Sequence, residues 1–321
     1  EGLSSPSEFA AFANFTTGLL AQSDWGDARW IIGGHKGEAR MMRKEFIVDQ
    51  DLAAEKVGRV SLFVSACQYV LLYLDGVRVG NHELDVVWTK FAENRSYVTY
   101  ELPSASVGPG KHVLGMELGQ GFCGGSFGKA AGEGHTRAGL LRLVLHDTTP
   151  ESAALATVVT DGSWTVASGP VNWDSTYYGE DYDARLELDG WTMVNYVPPP
   201  KTWTPATVQT IFPIDDTTRV VPMAAPHLGS QLMQPIRAVK QLSPKSMWRV
   251  NFSKPCTHTS GSCTTMSWVY DFAQEFAGVV RLKLPANTKA GTNVSLMYAE
   301  ALAHPGLAAG DSYDGGGAVT A

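Results

Sequence analysis

Residues 59–88 read RVSLFVSACQYVLLYLDGVRVGNHELDVVW, and this stretch decides the fold class. Apolar and β-branched residues run almost unbroken from Val60 to Leu74, Asp75-Gly76 stops them, and Val77 and Val79 resume beyond. An apolar run closed by Asp-Gly predicts a buried strand leading into a β-hairpin, because that dipeptide accepts the positive φ angles of a two-residue turn. Ser65, Gln68 and Asp75 interrupt the run. It therefore fits neither a helical stripe of period 3.6 nor a membrane span of about eighteen or more apolar residues.

The same pattern continues on both sides. From Met41 to Leu145 the segments RKEFIV, the central hairpin, YVTYEL, KHVLGMELG and GLLRLVLH follow one another, with Gly108-Pro109-Gly110 the clearest turn between them. No amphipathic helix of more than a few turns interrupts them, which predicts a β-sandwich of jelly-roll type. VVTDGSWTVASGPV adds a further hairpin around Asp161-Gly162. The stretch VPPPKTWTP, Val197 to Pro205, cannot be a central strand or a helix, because proline removes a donor and fixes φ. Beyond about Val220, QPIRAVKQL, WVYDFAQEFAGVVRLKL and TNVSLMYAEAL alternate with period two. The expected fold class is all-β, two consecutive β-sandwich domains with no sizeable helical domain. The expected division is 1–20 as a lead-in strand, 21–196 as the jelly roll, 197–219 as a Pro-rich connection and 220–321 as a second sandwich, incomplete at its end. Trp25 and Trp30 are expected as hydrophobic plugs at the domain edge rather than as sugar-stacking rings.

A chain of 321 residues is long enough for two ordinary cores, and 44% hydrophobic residues with 33 Gly and 17 Pro describe a globular, turn-rich protein. The formal net charge of −7, with no basic run, argues against nucleic acid or an anionic membrane surface as partner. The Gly-rich piece from Gly119 to Gly134 lacks the spacing of a phosphate loop and reads as a rim loop. Five acidic residues, Glu180, Asp181, Asp183, Glu187 and Asp189, do not follow the order of a calcium loop. They read as a structural loop paired with Arg185.

Cys256 and Cys263 bracket a short loop that suits a local disulfide, while Cys67 and Cys123 lie in strand-like stretches that could be sheet neighbours. Disulfides are favoured over metal ligation, since no CxxC occurs. Sequons at Asn14, Asn94, Asn251 and Asn293 add to a reading of a secreted eukaryotic glycoprotein.

FTTGLL, DWGDARWI, YLDGVRVGNHEL, VTYEL, LGQGF, TDGSWTVASGPV, YGEDYDAR, QPIR, VYDFAQEFAGVVRL and GTNVSLMYAEAL occur here in one order. In that order they resemble α-L-rhamnosidases of glycoside hydrolase family 78, from about Phe15 to about His304. The resemblance implies an N-terminal jelly roll similar to a rhamnose-binding module, followed by a concanavalin-like sandwich. It implies catalysis by acidic residues of a following (α/α)6 barrel, of which this sequence holds nothing. Inverting hydrolysis needs two carboxyl groups roughly 6.5–9.5 Å apart, and no acidic pair here takes those roles by motif, so no catalytic residue is assigned. Residues 1–20 resemble the last strand of a preceding fibronectin-like domain, and the chain is read as an internal piece of a longer polypeptide.

In rhamnose-binding relatives a calcium ion and polar side chains meet the sugar on the jelly-roll rim. By position in the hairpin and the loop after it, Asp75, Asn81, Glu83, Asp85 and Trp88 are the carbohydrate-binding candidates, with calcium near Asp75 and Asp85. Against this stands the reading of Asp75 as a turn former and Trp88 as a core plug. A Cys67–Cys123 bond would stiffen that rim. Three functions follow as expectations: the accessory region of a secreted α-L-rhamnosidase, holding rhamnose-containing glycans; a stand-alone carbohydrate-binding protein; or a structural extracellular glycoprotein self-associating through sandwich edges.

Overall fold

The computed structural model describes residues 17–34, 39–67, 69–90, 93–121, 137–149, 154–176, 179–209, 211–213, 220–222, 227–255, 262–298 and 318–320, without the side chains of 54, 211–213, 220–222, 227, 251–255, 262–265 and 318–320. Almost every regular element among them is a strand, and the helical pieces are 3₁₀ turns of three or four residues such as Gln22–Trp25 and Ala184–Leu186. Among the described residues no helix is long and apolar enough to cross a membrane.

Two sheets form the first sandwich. In one, the strands lie in the order Thr207–Val208, Ile31–Ile32, Ala138–Asp147, Val57–Ala66, Asn94–Leu102 and His227–Ser230, with Ala156–Val159 also paired to Ala138–Asp147. In the other the order is Thr204–Pro205, Thr165–Ala167, Met41–Val48, Gly110–Gly119, Tyr69–Leu74 and Val77–Arg78. Alternate residues of the facing strands meet in one core, Val60, Leu62, Val64, Leu141 and Leu143 from the first sheet against Met42, Leu72, Leu114 and Met116 from the second. Each fully buried aliphatic side chain contributes about 1.5–3 kcal/mol relative to exposure, so this layer supplies the main driving force.

The apolar run of 60–74 is not one strand but two. Val57–Ala66 lies in the first sheet and Tyr69–Leu74 in the second, so the chain changes sheets around Cys67. The run reads as continuous because residues 60–66 of Val57–Ala66 are covered on both faces. Phe63 faces away from the main core into a second cluster with Trp25, Trp30, Ile32, Tyr97 and Leu140. Trp25 meets Tyr97 edge-on with ring centroids 5.6 Å apart, and the Tyr97 hydroxyl donates to the Leu19 carbonyl at 2.8 Å. The two tryptophans are thus plugs that close the outer face of the sheet. The Asp-Gly turn forms as expected, with φ of 49° at Asp75 and 85° at Gly76, and pairs Leu74 with Val77.

The proline-containing connection joins both sheets. Thr204–Pro205 ends the second sheet and Thr207–Val208 the first, edge positions where a missing donor costs nothing. Further on, His227–Ser230 adds in parallel to Asn94–Leu102, and Ile236–Arg237 pairs with His82–Glu83. Chain placed by sequence in the second unit is therefore hydrogen-bonded to the first.

The rest is organised by a long hairpin, Ser246–Pro255 with Ser262–Asp271, in continuous register from Ser246↔Asp271 to Pro255↔Ser262. Its outward face carries Met247, Met266, Trp268 and Tyr270, about half exposed. A further sheet sets Val171–Ser175, Gly179–Tyr182, Ala318–Thr320 and Ser295–Met297 side by side. Leu62→Ala, in the centre of the sandwich, is expected to cost about 2–5 kcal/mol, whereas Trp268→Ala is expected to change stability by less than half as much; urea denaturation of both variants measures the contrast.

Candidate functional site

The hairpin residues marked by the sequence occupy two separate networks. Asp75 closes its own turn: Oδ1 accepts from the Val113 amide at 2.7 Å and Oδ2 meets His112 Nδ1 at 2.6 Å. This is the work of a turn former bracing the neighbouring strand.

Asn81, Glu83 and Asp85 come together at the other end. Asp85 is buried, with 2% exposure, and its Oδ2 accepts from the Tyr100 hydroxyl and meets His82 Nδ1, each at 2.7 Å. Burial, followed by the hydrogen bond to Asp85 and its charge, pushes the Tyr100 phenol far above its ordinary value. Arg237 Nη2 lies 2.9 Å from His82 Nε2. A guanidinium can only donate, so Nε2 accepts, and the His82 proton resides on Nδ1 and is given to Asp85. Arg237 Nε also donates to Asn81 Oδ1 at 2.9 Å, while Glu83 pairs with Arg78 at 3.0 Å. The result is a clasp between the hairpin loop and Ile236–Arg237, reinforced where the Gln231 side chain accepts from the Val87 amide at 2.9 Å. Trp88 is 57% exposed and so is not a core plug.

Asp75 and Asp85 share no partner, and the oxygens described above already accept from internal donors. A hard cation needs several oxygens directed at one point, and no group of three or more His, Cys, Asp or Glu residues among the described ones could hold a metal ion. The calcium that the family resemblance implies does not fit this donor set. Cys67 is buried and disulfide-bonded. Cys123 and Cys256 lie outside the described residues, as does the side chain of Cys263. Of the sequon asparagines, Asn94 and Asn293 are exposed, Asn14 lies outside the described residues and so does the side chain of Asn251.

A second polar centre has no counterpart in the sequence reading. Asp174 sits between two buried arginines: its Oδ1 accepts from Arg40 Nη1 and Arg137 Nη2, each at 2.6 Å, and its Oδ2 from the Gln120 amide at 2.9 Å. Burial alone would raise the Asp174 carboxyl, but Arg137, Arg40 and the Gln120 amide together hold it below its ordinary value. In front of this centre lies a cleft of about 180 Å³ lined by Tyr69, Gly121, Ser175, Thr176, Gly179 and Glu180 as well as Asp174. Glu180 was legible only as one of five acidic residues, and Arg40 and Arg137 carried no local signal. Asp183, by contrast, behaves as the acidic loop reading expects. It takes Arg185 Nε at 2.8 Å and Nη2 at 2.6 Å, and these bonds with the Arg185 amide lower its carboxyl to about 2.

Removing the Asp174 charge leaves two buried guanidiniums facing each other. Asp174→Asn is expected to destabilise the fold by about 3–5 kcal/mol, read by chemical denaturation at pH 7. Because the folded carboxyl titrates below the ordinary 3.8, its contribution is complete above that value and is lost as pH falls through the folded pKa. The wild type should therefore lose more stability than the variant on acidification below about pH 4.

With this geometry in place, comparison with known proteins is informative. Residues 55–240 match the family described as the α-L-rhamnosidase N-terminal domain, and residues 262–314 the bacterial α-L-rhamnosidase concanavalin-like domain. An α-L-rhamnosidase of Formosa agariphila is 26% identical over 336 residues, covering 95% of this chain and 31% of that protein. One of Streptomyces avermitilis is 29% identical over 87% of this chain and 24% of its own length. The chain thus spans about a third or less of these relatives. The α-L-rhamnosidase structure from Dictyoglumus thermophilum superposes with a TM-score of 0.60 at 24% identity, over 81% of this chain and 27% of that one. That from Aspergillus terreus superposes with a TM-score of 0.59 at 23% identity, over 74% and 28%. Both share the fold. The matched domains, in this order and over most of the chain, establish that it belongs to the α-L-rhamnosidases of glycoside hydrolase family 78.

Proposed function

We infer that this chain is the non-catalytic β-sandwich region of a secreted α-L-rhamnosidase-like glycoside hydrolase, supporting a catalytic barrel elsewhere in the polypeptide and binding terminal L-rhamnose of glycans. The observation that carries the reading is the pair of domain matches on a chain covering only 31% of a Formosa agariphila relative. The remaining length of such a relative has room for a catalytic domain. The supporting role draws on the Asn81, His82 and Arg237 clasp, which ties the first sandwich to the chain entering the second region. A support must transmit position rather than flex, and strand pairing at Ile236–Arg237 backed by charged hydrogen bonds does this.

The binding role rests on the hairpin rim, where Trp88 presents an exposed aromatic surface suited to the apolar face of a 6-deoxy sugar. Asn81, Glu83 and Asp85 act there by holding the loop's shape through the contacts described. Secretion draws on the disulfide at Cys67, its proposed partner being Cys123, and on the exposed sequons Asn94 and Asn293. Self-association has one observation in its favour, the outward face of Met247, Met266, Trp268 and Tyr270. A monomer by light scattering at high concentration would exclude it.

This polypeptide alone is expected to bind L-rhamnose by calorimetry and to leave p-nitrophenyl α-L-rhamnopyranoside intact, while the full-length gene product hydrolyses it. Turnover by the short chain at a rate comparable to the long one would overturn the non-catalytic reading. Arg237→Ala is expected to raise hydrogen exchange at residues 231–237 at least about tenfold, since charged hydrogen bonds contribute roughly 1.5–3 kcal/mol each. Unchanged exchange there would remove the clasp from the supporting role.

A further inference from the structure

The clasp between the hairpin loop and Ile236–Arg237 is held by charge rather than by burial. Its strand pairing is two residues long, Ile236↔Glu83 and Arg237↔His82. The apolar side chains around it stay in solvent: Leu232 is 96% exposed, Ile236 58% and Val239 94%. With so little apolar area buried, the side-chain hydrogen bonds of Arg237 decide whether the pairing persists. Those bonds run to Asn81 Oδ1 and His82 Nε2, each at 2.9 Å. Upstream, the Gln231 amide donates to the Tyr97 carbonyl at 2.8 Å and the Gln231 side chain accepts from the Val87 amide. Opening of the clasp is thereby confined to the chain beyond Gln231.

The imidazole at the centre is committed at both nitrogens. Nδ1–H donates to Asp85, and Nε2 accepts from the Arg237 guanidinium. A second proton on the ring must sit on Nε2. It removes the lone pair into which Arg237 donates and sets donor against donor and positive charge against positive charge. The other ionisable groups around the ring do not relieve that contact. Asp85 is engaged at the opposite nitrogen, and Tyr100, its ring centroid 4.9 Å from that of His82, is a neutral donor to Asp85. Arg78 donates to the His82 carbonyl and pairs with Glu83. These four residues stay beside His82 when Arg237 leaves, so they act alike on the closed and the open clasp.

We propose that His82 is an acid-operated release for this clasp: on gaining its second proton it expels Arg237, and residues 232–241 leave the first sandwich while Gln231 remains anchored. The closed clasp binds one proton fewer than the open one, so its contribution is complete at neutral pH and is lost as pH falls. Imidazole side chains ordinarily change charge between about pH 5 and 8. The Asp174 centre weakens only below about pH 4, so release leaves the sandwich core folded. The inference concerns the clasp itself and holds with or without rhamnose binding or an attached barrel.

The test is hydrogen exchange of the intact chain between about pH 7.5 and about pH 5, corrected for the intrinsic pH dependence of amide exchange, with the His82 ring followed by nitrogen NMR over the same interval. The expected result is a ring protonated on Nδ1 alone at the upper end and on both nitrogens at the lower. Protection at residues 82–83 and 236–237 falls about tenfold or more in step with that change, while Val57–Ala66 and Ala138–Asp147 keep theirs. His82→Gln, whose amide carries a donor and an acceptor but does not titrate, is expected to change by less than about twofold, and Arg237→Ala to be open throughout. Protection retained by the wild type at the acid end overturns the release, whatever the state of the ring, and so does an equal loss in folded His82→Gln. If that variant does not fold, the wild type decides alone: a loss of protection displaced in pH from protonation of the ring, or one that spreads to the two core strands, overturns the release as well.

Discussion

A stretch of strand buried on both faces has no position at which a polar side chain is free of cost, and residues 60–66 of Val57–Ala66 form such a stretch. Leu62 and Val64 face the other sheet, Phe63 faces Trp25 and Tyr97, and the paired strands Ala138–Asp147 and Asn94–Leu102 take its backbone groups. The chain on either side must then supply two separate covers. The second sheet covers one face, and the lead-in segment with its tryptophans covers the other. The polar exceptions on the strand are satisfied: Ser61 donates to Glu101 at 2.9 Å and Ser65 to the Ser96 carbonyl at 2.7 Å. From this requirement follow the change of sheet near Cys67, the hairpin that returns along the second sheet and the position of the loop that carries the candidate residues.

The two polar centres differ in what they join. In the hairpin loop, Asp85, His82, Asn81 and Arg237 form a chain of donors and acceptors that ends within the protein. Such a network holds a loop and joins it to a distant segment, and it has little capacity left for a cation. Around Asp174 the buried charges are paired as well, with Arg40 and Arg137 both on its carboxylate. Both centres contain carboxylates, and both lie in motifs that resemble the same family.

Beyond Arg237 the molecule presents long paired strands rather than a second closed core among its described residues. The hairpin Ser246–Pro255 with Ser262–Asp271 alternates as a half-buried sheet would, yet Met247, Met266, Trp268 and Tyr270 face outward. Apolar alternation states that a strand has a face to bury and does not name what buries it. The same limit applied earlier in the chain. His227–Ser230 and Ile236–Arg237 looked like the start of a second unit, but they lie against Asn94–Leu102 and His82–Glu83 of the first.

What the amino-acid sequence by itself determined is what depends on neighbours along the chain: an all-β protein, a two-residue turn at Asp75-Gly76, the exclusion of the stretch Val197 to Pro205 from any central strand or helix, and an acidic loop paired with Arg185. Propensity, period-two alternation and turn chemistry act over a few residues and can be read there. The ordered motifs likewise carried the family. What only the tertiary structure decided is which side chains meet across long separations: Arg40 and Arg137 on Asp174, Arg237 on Asn81 and His82, and Tyr100 on Asp85. An ion pair or a buried hydrogen bond carries no periodic trace in either partner's neighbourhood, and its place is set only when two sheets have stacked and fixed which strand ends lie together. For that reason Asp75 could be read as a turn former from its own position, whereas the setting of Glu180 required the fold.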